Sequence, residues 1–219
     1  MMKIRVVLVS LLAGATVAGL AAFSPADPQT TNTQTTNTQT TNTQATNTQA
    51  TETYKVDPVH TTAIFRIKHL GVTYFYGRFN ETTGSFTLNT NNPSEMFFDV
   101  QIKTQSLDTN ATRRNNHLKS PDFFNAKQFP TISFKSKSVQ SSGENTYTVS
   151  GDMTLHGVTK PITVQMEFVG QGDKGARFGY RAGFDVTFTI KRSDYGMNYM
   201  QGMLGDEVTI MVGLEGARQ

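Results

Sequence analysis

The 219-residue chain contains no cysteine and no tryptophan. Without cysteine it has neither disulfides nor a lipid-modified cysteine anchor, so its stability must come from packing and backbone pairing. Charge is also sparse, since 20 Lys and Arg stand against 17 Asp and Glu and leave a net charge of +3. That excess is too small and too evenly dispersed to indicate a nucleic-acid partner.

The first 26 residues have the pattern of a secretory signal peptide, with cleavage predicted near residues 22–26. Lys3 and Arg5 precede an uncharged stretch that ends at Ala22, and small residues follow. An uncleaved membrane anchor is the alternative, because about 17 apolar residues are the lower limit for crossing a bilayer. Glycines within the stretch and its small-residue exit favour cleavage. The mature protein is therefore predicted to be periplasmic or secreted.

Residues 27–53 are predicted to be a disordered tether, because the pentad Thr-Thr-Asn-Thr-Gln recurs there with almost no apolar surface to offset the entropy of ordering. A glycosylated stalk or a spacer is the functional alternative to a tolerated linker. The remaining residues, 54–219, are enough for one domain with its own core.

Apolar and polar residues alternate through nearly all of this domain, as they do along residues 178–190. This period of two is typical of strands with one wet and one dry face. It predicts an all-β domain of about eight antiparallel strands, which has two solutions, a sandwich or a closed barrel. The run of residues 178–190 exceeds the usual strand length and favours an extended barrel.

Residues 108–124 interrupt the alternation and suit a short helix, with Asn110 as its N-cap and Pro121 ending it. Leu118, Phe123 and Phe124 give this segment an apolar side. We therefore expect it to cap one end of the barrel, with Arg113 and Arg114 on a solvated face.

Several strings taken together resemble the YceI-like, polyisoprenoid-binding family of secreted proteins. In chain order they are YKVDPVHTTAIFRIKHLG, GRF, HLKSPDFFNAKQFPTISFKS, GDMTLHGVTKP, KRSDYGM and GDEV. The resemblance implies an eight-stranded antiparallel barrel, lipocalin-like in shape, that holds a long isoprenoid or similar amphiphile. It also implies a lipid carrier or sequestering protein rather than an enzyme, with an isoprenoid lipid or quinone as ligand and no further cofactor. Asn115 departs from the acidic residue that the family's helix often carries.

The inward-facing stripes do not by themselves distinguish a plugged barrel from an occupied one, because burial contributes about 25 cal/mol per Å² against either side chains or lipid. Flexible methionines, the lack of tryptophan and small residues such as Gly151 and Ala182, which would leave space along the axis, favour occupancy. The predicted tunnel and mouth residues are Phe65, Ile67, Phe98, Leu118, Phe123, Phe124, Phe134, Met153, Phe184, Phe188, Tyr195 and Met197. Candidates for contact with a polar head group are Lys68, Lys191 and Arg192.

A copper-handling protein is the main alternative, because Met197, Met200 and Met203 recur at three-residue intervals and thioethers bind Cu(I). The four histidines lie far apart in sequence and form no short pair, so no metal ligands are predicted among them and structural hydrogen bonds are expected instead.

No catalytic residues are predicted. Ser193 with Asp194, or Asp152 with His156, supplies only pieces of a catalytic arrangement. Arg192 and Asp194 are interpreted as an ion pair at a strand end. The expected partner is a long-chain amphiphile, with transient membrane contact, and the sequence leaves a homodimer open.

Overall fold

The structure is a computed structural model that describes residues 50–219, so the predicted signal peptide and most of the predicted tether lie outside the described residues. The described part contains eleven strands, one α-helix and three short 3-10 helices. The strands are β1 (Glu52–Val56), β2 (Thr62–His69), β3 (Thr73–Phe79), β4 (Thr82–Leu88), β5 (Phe97–Lys103), β6 (Leu107–Asp108), β7 (Thr131–Gly143), β8 (Thr146–Leu155), β9 (Val158–Asp173), β10 (Tyr180–Lys191) and β11 (Leu204–Arg218). The helices are α1 (Thr112–Leu118) and the 3-10 turns Pro93–Glu95, Thr104–Ser106 and Arg192–Tyr195.

The eleven strands form a closed antiparallel barrel with eight strand positions. Strands β1 to β6 occupy only three of these positions, because they join end to end in pairs. Strands β1 and β2 lie along one side of β11, with Tyr54 opposite Arg218 and Ile67 opposite Val208. Strands β3 and β4, and likewise β5 and β6, make two more composite strands. Strands β7 to β11 are continuous, and the return of β11 to β1 and β2 closes the barrel. The predicted eight-stranded barrel with a short helix is therefore confirmed.

The alternation of apolar and polar residues in the sequence is matched by an alternation of buried and partly exposed residues in the structure. Along β8, every second residue from Tyr147 to Leu155 is buried and the residues between them are partly exposed. Strands β9 and β11 have 16 and 15 residues, well above the usual five or six. Strands of this length make the interior deep enough to hold more than one layer of side chains.

The small residues in the inward stripes do not leave empty space, contrary to the sequence-based expectation. A Cβ atom on Gly151 would lie 2.4 Å from the carbonyl oxygen of Lys135 and 2.8 Å from the Phe134 ring. Ala182 is buried within one of the two hydrophobic clusters. At both positions the missing side-chain volume is taken up by neighbours, so any cavity must arise elsewhere.

Helix α1 is shorter than the predicted segment, and its predicted N-cap is wrong. Ala111 occupies the N-cap position without a side-chain cap, while Asn110 has a left-handed backbone with φ of 58°. The helix entry is held by Asn115, whose Oδ1 accepts hydrogen bonds from the Thr109 N–H (2.8 Å) and hydroxyl (2.6 Å). Its Nδ2 donates to Asp108 at 3.0 Å, a bond that a carboxylate in place of Asn115 would not make. Within residues 50–219, no helix has the length and hydropathy required to cross a bilayer.

Candidate functional site

One half of the barrel interior is filled by aromatic rings. We call this set the aromatic plug, and it consists of Tyr54, Phe86, Phe98, Tyr147, Phe168 and Phe184. Phe184, only 2% exposed, lies at its centre, with ring centroids 5.1 Å from Phe98, 5.3 Å from Phe168 and 5.5 Å from Phe86. Tyr54 stacks on Phe86 at 5.0 Å. Such edge-to-face and stacked contacts are the preferred geometries of aromatic pairs, and they fill this half with buried rings.

The other half of the interior contains a cavity of about 390 Å³, within the range of roughly 300–1,000 Å³ that is usual for small-molecule sites. Phe134, Ile162, Phe188 and Val212 point inward yet are only partly buried, because each has one side on this cavity. The barrel is thus hollow over part of its length, and side chains from β2, β3, β5, β7, β8, β9, β10 and β11 form the wall.

The inner end of the cavity is closed by the aromatic plug. Phe98 belongs to the plug and also lines the cavity. Met166, Val186 and Leu214, which belong to the same hydrophobic cluster as the plug, line the cavity as well. These four side chains form an apolar floor. A guest that enters the cavity would meet this floor rather than pass through the whole barrel.

The outer end of the cavity lies between the β2–β3 turn, helix α1 and the loop before β11. His69 and Thr73 flank the turn, His117 lies on the helix, and Met200 and Leu204 belong to the loop region. The polar or ionisable residues in the cavity wall are His69, Thr73, Arg114, His117, Ser133 and Arg192. No carboxylate among the described residues lines it, so the mouth favours a neutral or anionic head group over a cationic one.

Arg114 is exposed, as expected for a solvated helix face, and it also lies at this mouth. Its Nε donates to the Thr109 hydroxyl at 2.9 Å and its Nη2 to the Thr109 carbonyl at 2.6 Å. The guanidinium also lies 4.3 Å from the centre of the Phe75 ring. These contacts fix the side chain, while Nη1 makes no hydrogen bond within residues 50–219. Arg114 therefore offers a positioned donor at the cavity entrance.

Arg192 forms its hydrogen bonds with the backbone of the loop that precedes β11. Its guanidinium is buried and donates to the backbone carbonyls of Met197 (2.6 Å), Tyr199 (2.8 Å), Gly205 (2.9 Å) and, at longer range, Leu204 (3.3 Å). Burial lowers the pKa of Arg192 from its usual value, and the charge of Asp206 opposes this shift. The ion pair expected between Arg192 and Asp194 is not formed, because Asp194 lies 3.4 Å from Lys160 instead. Arg192 thus holds one side of the mouth in place.

Most of the predicted tunnel and mouth residues lie on the cavity wall. Those that line it are Phe65, Ile67, Phe98, Leu118, Phe123, Phe124, Phe134, Met153, Phe188 and Met197. Phe184 lies in the aromatic plug, and Tyr195 is buried outside the lining, where its carbonyl accepts a hydrogen bond from His156. Of the head-group candidates, Arg192 lines the cavity, whereas Lys68 and Lys191 are exposed and do not.

Sequence reasoning missed several wall residues, and their signals were weak. Phe75 lies between Tyr74 and Tyr76, which are exposed. Because all three residues are aromatic, the sequence does not show which of them faces the interior. Arg114 and His117 share a helix face with Leu118, a one-turn pattern that could have placed them beside the apolar side of α1.

The three methionines of the proposed copper loop lie in different surroundings. Met197 is buried on the cavity wall, Met200 also lines the cavity, and Met203 is half exposed. Among the described residues, one cluster has a geometry that could hold a metal ion, namely Asp57, His60 and Glu215, with ligand atoms within 4.8 Å of one another. Arg181 already places its Nη1 2.6 Å from Asp57 and 3.5 Å from Glu215. The positive charge beside these carboxylates is therefore supplied by the Arg181 guanidinium.

The polar pairs considered for catalysis have other partners. The Ser193 hydroxyl donates to Asp206 at 2.8 Å, and this bond leads the interactions that lower the pKa of Asp206. Asp152 lies 2.7 Å from Lys137. The Nδ1–H of His156 donates to the Tyr195 carbonyl at 3.1 Å. Neither of the two pairs lines the cavity.

Comparison with known proteins agrees with this architecture. A sequence model described as the YceI-like domain matches residues 54–216. A UPF0312 protein of Pseudomonas aeruginosa is 44% identical over 168 residues, which cover 76% of this chain and 87% of that protein. A UPF0312 protein of Photorhabdus laumondii is 42% identical over 168 residues, covering 76% and 86%.

Solved structures with the same fold include a Campylobacter jejuni YceI protein, which is 28% identical with a TM-score of 0.61 and covers 69% of this chain and 89% of its own. BcnA of Burkholderia cenocepacia has a TM-score of 0.67 at 22% identity, over 73% of this chain and 98% of its own. A polyisoprenoid binding domain from Saccharophagus degradans, implicated in plant cell wall breakdown, has a TM-score of 0.59 at 15% identity, over 76% and 98%. The last two establish a shared fold.

Proposed function

Because the chain belongs to the YceI-like domain family, we propose that it is an exported, non-enzymatic carrier or sequestering protein for a polyisoprenoid or an isoprenoid-quinone-like amphiphile. One observation carries this proposal: a cavity of about 390 Å³ with an almost wholly apolar wall occupies half of the barrel. Transfer of an apolar tail from water into such a cavity is favourable without any specific polar contact. The relative from Saccharophagus degradans, described as polyisoprenoid binding, supports the isoprenoid class.

The geometry suggests how such a ligand would lie. Its tail would extend inward to the floor at Phe98 and Leu214, and its head would remain at the mouth near Arg114 and His117. The free Nη1 of Arg114 suits a phosphate or a quinone carbonyl, both of which accept hydrogen bonds. Export through the segment of residues 1–26 would bring the protein to the compartment where such lipids are handled.

The first experiment is extraction of protein purified from its native envelope without detergent, followed by mass spectrometry. We expect a stoichiometric isoprenoid amphiphile. Titration of delipidated protein with farnesyl, geranylgeranyl and longer prenyl alcohols should then show affinity rising with each added unit until the tail reaches the floor. If neither experiment detects an amphiphile, the proposal is wrong.

A pair of neighbouring substitutions on β11 separates binding from folding. Ile210 lines the cavity, and the adjacent Thr209 points to the outer face of the barrel. Ile210→Arg should abolish prenyl-alcohol binding because the charge would have to be desolvated beside the tail. Thr209→Arg should leave binding unchanged. Circular dichroism of both variants checks that the barrel is intact, and equal binding by the two variants would contradict a ligand in this cavity.

The copper alternative has its own test, although the surroundings of the three methionines do not favour it. Tight Cu(I) binding that is lost when Met197, Met200 and Met203 are all replaced by Leu would support it. An unchanged Cu(I) titration in this triple variant would remove it.

A further inference from the structure

The mouth of the cavity is bordered by exposed apolar side chains on two adjacent loops. Leu70 and Val72 project from the β2–β3 turn, 50% and 81% exposed, and Tyr199 and Met203 from the loop before β11, 43% and 50% exposed. The Leu70 N–H donates to the Met203 carbonyl at 2.7 Å, so the two loops are in contact. We call these four residues the rim patch. Side chains that flank both loops line the cavity, so the rim patch and the mouth are continuous.

The rim patch is held in place rather than loosely attached. Leu70 and Gly71 both have left-handed backbones, with φ of 51° and 73°, which produce a tight turn that projects Val72 outward. On the other loop, the buried Arg192 fastens the carbonyls of Met197 and Tyr199. The apolar side chains are therefore presented to solvent by rigid turns, and the exposure is built into the fold.

The surroundings of the rim patch are basic. The segment of residues 66–74 carries Arg66 and Lys68 and no carboxylate, and the segment of residues 109–121 carries Arg113, Arg114 and Lys119 and no carboxylate. The loop of residues 195–205 has no charged residue at all. The next carboxylate after α1 is Asp122, which is paired with His117 at 2.8 Å. At the other end of the barrel the turns carry both signs of charge, with Glu95, Glu144 and Asp173 beside Lys174 and Arg177.

We infer that the rim patch docks on the surface of a bilayer that contains anionic phospholipid, so that the cavity mouth faces the membrane. Leu70, Val72 and Met203 would enter the boundary between head groups and acyl chains, and the flanking lysines and arginines would contact the phosphates. A second copy of the chain fits less well, because a symmetric contact through this patch would bring the two basic borders together. The inference rests on the proposed function, since a tail insoluble in water is best transferred directly between bilayer and cavity.

The test compares two valines that are equally exposed. Val72 in the rim patch is 81% exposed and Val59, between β1 and β2, is 80% exposed. Protein purified from the envelope is sedimented with phosphatidylcholine vesicles, with and without phosphatidylglycerol. We expect binding to the anionic vesicles that weakens at high salt, a loss of about tenfold or more for Val72→Glu, and no change for Val59→Glu.

Three outcomes would overturn the inference: equal vesicle binding by Val72→Glu and the parent protein, an equal loss in Val59→Glu, or a Val72→Glu variant that changes only the oligomeric state. Binding of a farnesyl alcohol in solution separates this inference from the proposed function. We expect Val72→Glu to retain that binding but to transfer prenyl lipid between vesicles more slowly. If the parent protein docks on vesicles yet binds no prenyl alcohol, docking stands and the carrier function falls. If Val72→Glu binds both the vesicles and the prenyl alcohol as the parent protein does, the carrier function stands and docking through the rim patch falls.

Discussion

The plugged and hollow halves of the barrel are built from the same strands. Phe184 and Phe188 point to the same interior from β10, two periods of the alternation apart, yet Phe184 is surrounded by four aromatic rings and Phe188 lines the cavity. Near Phe188 the inward side chains are mostly aliphatic, such as Ile162 and Val212. The comparison teaches that a void in this barrel depends on which side chains meet across strands, and not on how apolar each strand is.

The first prediction concerns these two phenylalanines and has the largest expected effect. Phe184→Ala should lower the free energy of unfolding by about 3–5 kcal/mol, because it removes the centre of the aromatic plug. Phe188→Ala should cost less than about 2 kcal/mol, because its ring is already partly exposed to the cavity. Urea unfolding of both variants measures the difference. Equal losses would show that the two halves are packed alike.

The second prediction tests how tightly the plug is packed. A Cβ on Gly216 would lie 2.5 Å from the Phe86 ring and 2.9 Å from the Cβ of Tyr54, whereas a Cβ on Gly213 would meet nothing closer than 3.9 Å. Gly216→Ala should therefore destabilise the protein by about 1–3 kcal/mol through overpacking. Gly213→Ala, on the same strand, serves as the control and should be nearly neutral. Thermal unfolding distinguishes them, and a neutral Gly216→Ala would mean that the plug has slack.

The third prediction fills the hollow half. Val212→Phe adds a ring to the cavity wall, while Met211→Phe adds one to the opposite face of β11. We expect Val212→Phe to raise the unfolding free energy by about 1 kcal/mol through extra burial and to weaken prenyl-alcohol binding. Met211→Phe should change neither. Retention of full affinity by Val212→Phe would place the ligand outside this cavity.

The fourth prediction concerns the turn at residues 57–61, which joins β1 in the plugged half to β2 in the hollow half. Hydrogen bonds from His60, from the Val59 N–H and from Arg181 lower the pKa of Asp57 to about 2, against about 3.9 in an unfolded chain. The Asp57 carboxylate therefore stabilises the fold above about pH 4, and this contribution is lost as the pH falls towards 2. Its size is on the order of 1 kcal/mol once solvent screening is allowed for.

Asp57→Asn should remove this contribution near neutral pH and flatten the loss of stability between pH 4 and pH 2, as measured by urea unfolding across that range. His60→Gln provides a control of opposite sign. The Asp57 carboxylate raises the pKa of His60, so stabilisation by protonated His60 is complete below about pH 6.5 and is lost as the pH rises through its folded pKa. An acid limb that stays unchanged in Asp57→Asn would contradict the role of Asp57.

The barrel could be predicted from the sequence because alternation is a local pattern, and burial along β8 follows it residue by residue. Many wall residues, such as Phe65 and Phe188, could be predicted for the same reason. The division into two halves could not, since Phe184 and Phe188 have the same local pattern and differ only in partners from distant strands. Arg114 was also beyond local reasoning, because its position depends on contacts with Thr109 and Phe75 that the sequence does not specify.

The composite strands set where the chain can tolerate a change in length. Strands β7 to β11 run through both halves without a connecting turn, so one inserted residue in β9 that no bulge absorbs would turn its inward side chains outward beyond the insertion. The facing wall is interrupted at residues 57–61, 80–81 and 104–106, where an extra residue would be absorbed by a turn. Insertions that reshape the hollow half while sparing the plug should therefore be sought at these three breaks.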